Sequence, residues 1–290
     1  MLTGVIVRAY NSYYYVRNGD VTVACKIRGR FKKDRYSLMV GDQVHYQQDS
    51  QNEGTIENIL PRHSLLKRPA VANVDQVVLV FAAVNPNIST TLVDKLLVLA
   101  ESSHLEIVLV INKSDLAEPS DLAGVSDIYG SIGYPMIFAS AHTGRGVHEL
   151  QEKLKGKITA FAGPSGAGKS SLLNSIEPGL TLVIGEVSAK IGRGKHTTRY
   201  AQLLPLSTGG FVVDTPGFSA TEFTDIAMTD LAWYFPEFAR LARECKFSTC
   251  LHDREPQCAV KEALQKGIIP PSRYQSYQAI LQEMRDLKKG

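Results

Sequence analysis

Residues 163–170 read Gly-Pro-Ser-Gly-Ala-Gly-Lys-Ser, set between an apolar, strand-like run at 157–162 and a helical pattern opening at 170–176. This fits G-x-x-x-x-G-K-[ST], in which a strand turns through a glycine-rich loop into a helix. The loop's backbone N–H groups must point inward at phosphate oxygens, and side chains would obstruct them. Gly163, Gly166 and Gly168 supply that freedom, and Pro164, Ser165 and Ala167 complete the loop. The helix start adds unpaired N–H groups and the favourable end of the helix dipole. Lys169 is expected to reach the β- and γ-phosphates and to act in catalysis. Ser170 is expected to ligate Mg²⁺, with Ser171 beside it in the first turn. A chain built on this element belongs to the α/β class, with a mostly parallel sheet flanked by helices.

The loop does not name the base. Upstream stands Asn112-Lys113-Ser114-Asp115, after the apolar strand at 107–111. A carboxylate at Asp115 can accept from guanine N1–H and the 2-amino group, a donor pair adenine lacks. Lys113 would lie along the base plane, and Asn112 would tie the loop to its neighbours. Ser140-Ala141 closes the next apolar strand and is similar to the segment whose backbone N–H meets guanine O6. In an ordinary GTPase the phosphate loop precedes the guanine reader. The reversed order here reads as a circular permutation.

Asp214-Thr215-Pro216-Gly217 follows the strand at 211–213 and is similar to the GTPase D-x-x-G segment. Asp214 would hold Mg²⁺ through a water, and the Gly217 N–H would sense the γ-phosphate. Residues 192–199 (Gly-Arg-Gly-Lys-His-Thr-Thr-Arg) lie between the two phosphate motifs, as a switch would. Thr197 or Thr198, with Thr198 preferred, would close on Mg²⁺. Phe218 occupies the place where many GTPases have a water-orienting glutamine, and a phenyl ring cannot bond water. His196 is then the candidate catalytic base.

The flanks read differently. Residues 1–68 carry short strand-like runs at 4–9, 13–17, 21–27 and 43–47, punctuated by Gly, Asn and Asp. They suggest a small β-barrel of the OB type. Arg28, Arg30, Lys32, Lys33 and Arg35 surround Phe31, a mixture suited to phosphates and base stacking and equally suited to a solvated loop. Residues 69–222 alternate strand and helix, and 223–290 turn helical and irregular. There Cys245-x₄-Cys250-x-His252-x₅-Cys258 offers three thiolates and an imidazole, the set of a closed structural Zn²⁺ site. Chelation is expected to loosen the C-terminal part and leave the nucleotide site mostly intact. Cys25 reads as a small core residue.

No apolar run approaches the roughly eighteen residues of a membrane span, and the N-terminus lacks a signal peptide's charged start and apolar core. A cytoplasmic address is expected, and clustered cysteines in a reducing compartment read as metal ligands before disulfides. The formal charge of +3 says little about partners.

Taken together, the motif order, residues 192–199, the Asp214-to-Phe218 segment and the cysteine cluster resemble one family over essentially the whole chain: the bacterial RsgA-type GTPases, dependent on the small ribosomal subunit. The resemblance implies an N-terminal OB-fold, a circularly permuted GTPase domain and a C-terminal zinc domain. It implies binding to the 30S subunit late in its maturation, contacts to 16S rRNA, and subunit-stimulated hydrolysis of GTP to GDP and phosphate. His196 matches the family's proposed catalytic histidine, and Phe218 its hydrophobic replacement of glutamine. Gly166 stands where some potassium-dependent GTPases have asparagine, so potassium dependence stays open. A monomer is expected. The competing readings are a P-loop ATPase or kinase, and a non-enzymatic RNA-binding module that holds nucleotide structurally.

Overall fold

The computed structural model describes residues 1–27, 38–67, 70–180, 201–214 and 223–288. The basic run at 28–35, the switch candidates at 192–199 with His196, Thr197 and Thr198, and Thr215 to Phe218 lie outside the described residues. Two compact units divide the chain: Met1–Val77 with His148–Phe161 and Ser170–Phe218, and Val78–Val147 with Ala162–Lys169 and Ser219–Gly290.

The first unit holds the barrel. β1 (Leu2–Tyr10), β2 (Tyr13–Asn18) and β3 (Val21–Ile27) form an antiparallel meander, and β4 (Gln43–Gln48) pairs with β5 (Glu53–Ile59). β3 pairs in parallel with β5 while β4 returns to β1, so the five strands close on themselves. Closure removes exposed sheet edges. Alternate residues turn inward, so Ile6, Val16, Val23, Cys25, Val44, Tyr46 and Ile56 make one buried core. Asp42, wholly buried, accepts from the Met39 N–H at 2.8 Å and from Arg62 at 2.6 and 2.8 Å. A hairpin of β6 (Leu65–Lys67) and β7 (Ala70–Ala72) follows.

Beyond the barrel, β11 (Ile158–Ala162) runs parallel to β13 (Phe211–Asp214). β12 (Gln202–Pro205) is antiparallel to β13 and touches β1 at Arg8 and Gln202. Helix α3 (Val147–Leu154) precedes β11, and α4 (Lys169–Ile176) follows the phosphate loop.

In the second unit, β8 (Gln76–Ala82), β9 (Glu106–Asn112) and β10 (Met136–Phe138) stand side by side, β9 and β10 parallel. Helix α1 (Thr90–Ser102) links β8 to β9, and α2 (Pro119–Ile132) links β9 to β10. β8 is buried along its length, the continuous apolar pattern of a strand covered on both faces. Two 3₁₀ turns (Phe223–Asp225, Leu231–Tyr234) lead to α5 (Pro236–Ala242), α6 (Ala259–Gln265) and α7 (Pro271–Leu287). On α7, Tyr274, Tyr277, Leu281 and Met284 are buried, whereas Leu287, which helical spacing puts on the same stripe, is exposed. The stretch 228–235, whose sequence could be helical, forms only the 3₁₀ turn at Leu231–Tyr234. Pro236 disfavours helical backbone at Phe235, which is extended at φ −115° and ψ 98°. Among the described residues no helix is long and apolar enough to cross a membrane.

Candidate functional site

Asn112 ends β9 and is 2 % exposed. Its amide Nδ2 donates to the Ala167 carbonyl at 2.9 Å, and its Oδ1 accepts from the Ala141 N–H at 3.3 Å. One side chain thus joins three of the segments that the sequence singled out. A buried amide with both ends engaged fixes their spacing, and removing it would take this partner from the buried Ala167 carbonyl. Ser140, fully buried, donates its hydroxyl to Asp115 and accepts from the Thr143 N–H at 3.1 Å. The exposed Asp115 carboxyl is held below the usual carboxylate range, first by that serine hydroxyl, so it stays an acceptor. Lys113 takes a left-handed backbone (φ 61°) and donates its ammonium to the Asn85 carbonyl. Ser114 is buried, with its N–H on the Ala139 carbonyl at 3.0 Å.

The phosphate loop leaves no room for side chains at two of its glycines. A Cβ on Gly163 would meet the Val80 carbonyl oxygen at 2.0 Å, and one on Gly168 would meet Asn112 Nδ2 at 2.2 Å. Both have positive φ, 138° and 88°, the region glycine alone enters freely. Within the loop's curve Lys169 donates to the carbonyls of Gly163 at 2.7 Å and Pro164 at 2.9 Å. Burial lowers the pKa of this amine. In the other unit Ser170 and Ser171 open α4, and Asp214 ends β13, where burial raises its carboxyl. Gly217 lies outside the described residues.

The cysteine cluster is a true constellation. The donor atoms of Cys245, Cys250, His252 and Cys258 all lie within 4.8 Å of one another. His252 presents Nδ1, 3.5 Å from Cys245 Sγ and 3.3 Å from Cys258 Sγ, and the two sulfurs are 3.9 Å apart. Burial lowers the His252 pKa, favouring the neutral imidazole a metal requires, and raises the Cys250 thiol to about 12. Helix α7 holds this loop: Tyr274 donates to the His252 carbonyl at 2.7 Å, Tyr277 to the Leu251 carbonyl at 2.9 Å, and Arg285 to Asp253 at 2.8 Å.

Motif reading did not find the buried ion cluster behind these loops. Arg273, at 0 % exposure, donates to Asp94 at 2.5 Å and to Glu237 at 2.7 and 3.1 Å. Its guanidinium lies 4.4 Å from the centre of the Phe235 ring. Tyr129 donates to Asp94 at 3.0 Å, and Tyr134 donates to Glu101 at 2.9 Å. No periodicity links an arginine to a carboxylate on a helix 179 positions away.

A phosphate loop that follows its guanine-type reader in the chain, with a five-stranded barrel before and a Cys₃His helical region after, defines a circularly permuted P-loop GTPase. The RsgA GTPase profile matches residues 59–224 and the RsgA N-terminal domain profile residues 3–56. The chain is 46 % identical over 292 residues to a Geobacillus protein called small ribosomal subunit biogenesis GTPase RsgA, covering 99 % of each. It is 47 % identical to the Thermotoga maritima protein of the same name, over 99 % of this chain and 98 % of that one. The crystal structure of YjeQ from Thermotoga maritima superposes with a TM-score of 0.85 at 44 % identity, over 97 % of this chain and 98 % of that one. YloQ, described as a circularly permuted GTPase, gives 0.82 at 35 %, over 98 % and 95 %. The chain belongs to the RsgA GTPase family and is a GTP hydrolase.

Proposed function

We propose that this chain drives a GTP cycle in biogenesis of the small ribosomal subunit, binding the 30S particle late in its maturation and hydrolysing GTP to GDP and phosphate under stimulation by that particle. The reading rests above all on Asn112, whose amide ties the Asp115 loop, Ala141 and the phosphate loop together. Asp115 selects guanine, Lys113 covers the base, and residues 163–171 receive the phosphates. Ser170, Asp214 and Thr198 (or Thr197) would hold Mg²⁺, which offsets the phosphate charge when bound. His196 orients the attacking water in place of the glutamine that Phe218 replaces, and Gly217 senses the γ-phosphate. Residues 1–68 and the basic run at 28–35 contact 16S rRNA, residues 69–222 carry the nucleotide, and 223–290 hold one structural Zn²⁺.

The donor set fits that ion. A tetrahedral site with Zn–S near 2.3 Å has sulfurs about 3.8 Å apart, close to the 3.9 Å between Cys245 and Cys258. Four protein ligands close the coordination sphere, so the ion supplies folding energy to the loop and leaves no position for a substrate.

Turnover with and without purified 30S particles tests the reading. GTP turnover is expected to rise with 30S present, and GDP but not ADP to displace a fluorescent guanine nucleotide. Equal turnover in both arms would reject subunit stimulation, and displacement by ADP would reject the base assignment. Replacement of His196 by alanine is expected to remove most of the stimulated rate.

A further inference from the structure

Between Ala83 and Ser89 the chain passes from β8 into α1, and this short segment touches the nucleotide loops at three points. The Ala83 N–H donates to the Asn112 carbonyl at 2.8 Å, and the Asn85 carbonyl accepts from Lys113. Pro86 faces the phosphate loop, 3.5 Å from where a Cβ on Gly166 would stand. Ser89 then caps α1, accepting from the Leu92 N–H at 3.4 Å. The second turn of α1 carries Asp94, wholly buried against Arg273 of α7. The residue after Arg273 is Tyr274, which holds the backbone of His252, a member of the metal cluster. A continuous line of contacts therefore runs from the base-reading loop through 83–89, α1, Arg273 and α7 to the metal loop. Every member belongs to one compact unit.

The nature of the central contact decides how that line behaves. The Arg273 guanidinium is fully enclosed, shared between Asp94 of α1 and Glu237 of α5, with the Phe235 ring on its face. Sliding α7 away from α1 by an ångström or two would leave a buried charge with its partner lost and no water to replace it. A buried pair broken on one side is far more costly than an exposed one. The helices therefore stay docked or separate together, as a two-position element must if it is to couple sites. The half-exposed Lys95–Glu283 pair, 2.5 Å long, bridges the same two helices without that constraint, because water can take either partner.

We infer that Arg273 is a positioning residue through which the Cys₃His metal loop and the guanine-nucleotide loops stabilise one another, so that metal occupancy sets nucleotide affinity and nucleotide sets metal retention. This rests on the nucleotide and metal assignments proposed above. It departs from the expectation, drawn from the sequence, that chelation loosens the C-terminal part and leaves the nucleotide site mostly intact. The metal orders the loop whose carbonyls receive Tyr274 and Tyr277. Ordered α7 keeps Arg273 seated, and seated Arg273 holds α1 and its leading segment against Lys113 and Gly166.

Linkage is reciprocal for binding equilibria, so the same factor must appear in two independent measurements. Full-length protein is loaded with one equivalent of Zn²⁺, and the dissociation constant of fluorescent GDP is measured before and after removal of zinc by a zinc-selective chelator, with Mg²⁺ kept saturating. Zinc affinity is then measured by competition against a chromogenic chelator, with and without GDP. The expected result is a weakening of GDP by at least about fivefold on zinc removal, and a tightening of zinc by the same factor on GDP addition. Arg273→Lys keeps the charge but loses the fork that reaches both carboxylates, and its factor is expected to fall toward one while both ligands still bind. Should that variant unfold by circular dichroism, the uncharged combination of Arg273→Met, Asp94→Asn and Glu237→Gln takes its place. Lys95→Ala is expected to keep the wild-type factor. Wild-type protein that binds GDP and zinc independently overturns this inference alone, as does an undiminished factor in a folded Arg273 variant. Wild-type protein that fails to bind GDP or zinc overturns the function proposed above, and the inference with it.

Discussion

The phosphate loop and the metal loop are both tight turns with left-handed backbone, yet they are built on opposite plans. The phosphate loop follows the plan of a backbone anion cradle, in which what is missing matters: at Gly163 and Gly168 a methyl group would collide with Val80 or Asn112. The Cys₃His loop instead gathers side-chain donors, the arrangement that suits a cation. Its left-handed residues are His252 (φ 55°) and Gln257 (φ 54°), which bear the modest cost that glycine avoids. Hydrogen bonds from Tyr274 and Tyr277 hold it there. An anion cradle is therefore intolerant of added atoms, and a cation cage is intolerant of lost ones.

The sharpest way to break that contrast is Gly163→Ala. With a carbonyl oxygen 2.0 Å from the new Cβ and φ at 138°, nothing short of moving β8 accommodates it. GDP affinity is expected to fall at least ~1,000-fold, about 4 kcal/mol, while the metal loop's zinc content stays at one equivalent; titration of fluorescent GDP and metal analysis check both. Retained affinity would mean the loop does not bind through its backbone. Next in size, Cys258→Ser removes a ligand atom at nearly constant volume. The melting temperature is expected to drop by roughly 6–12 °C, for about 3 kcal/mol of lost stability, followed by scanning calorimetry with zinc present. An unchanged midpoint would show the cluster to be idle.

Lys169 sharpens the comparison through pH. Burial lowers its pKa from the ordinary 10.5, and phosphate binds only the protonated amine. GDP affinity is expected to be flat below the lowered value and to decline as pH rises through it, by about tenfold per unit at most. Arginine at this position keeps its charge and is expected to flatten the decline. A profile that is level in the parent protein would place the amine outside phosphate reach. The smallest effect is a control. Gly124 lies in the exposed interior of α2, with open space where a Cβ would go. Gly124→Ala is expected to stabilise by about 0.5–1 kcal/mol, read by urea denaturation. A loss there would undo the claim that glycine is costly to replace only where space and φ demand it.

The sequence showed these two loops well because each needs fixed residue types at fixed spacing. Asn112, Ala141 and Ala167 stand in separate motifs that the fold joins through one amide. The barrel was legible from short runs punctuated by Gly, Asn and Asp, and in β3 Val23 and Cys25 are buried with the half-buried Ala24 between them. Helix α2 was not seen. Its interior glycines dilute the apolar stripe, although Pro119 at its start and left-handed Gly133 at its end were readable punctuation. The antiparallel placement of β12 was equally hidden, because strand direction leaves no mark on a four-residue apolar run. Arg273 escaped for a deeper reason: a lone arginine in a helix reads as a solvated surface residue until the fold encloses it.

That enclosure has a consequence for how the protein is made. Asp94 emerges from the synthesis tunnel long before Arg273, and until α7 arrives two acidic side chains face a space built for a cation. The unit that carries the Asp115 loop is thus completed by a helix translated well after that loop, and a chain cut before Pro271 would damage α1 from a distance, however intact its motifs.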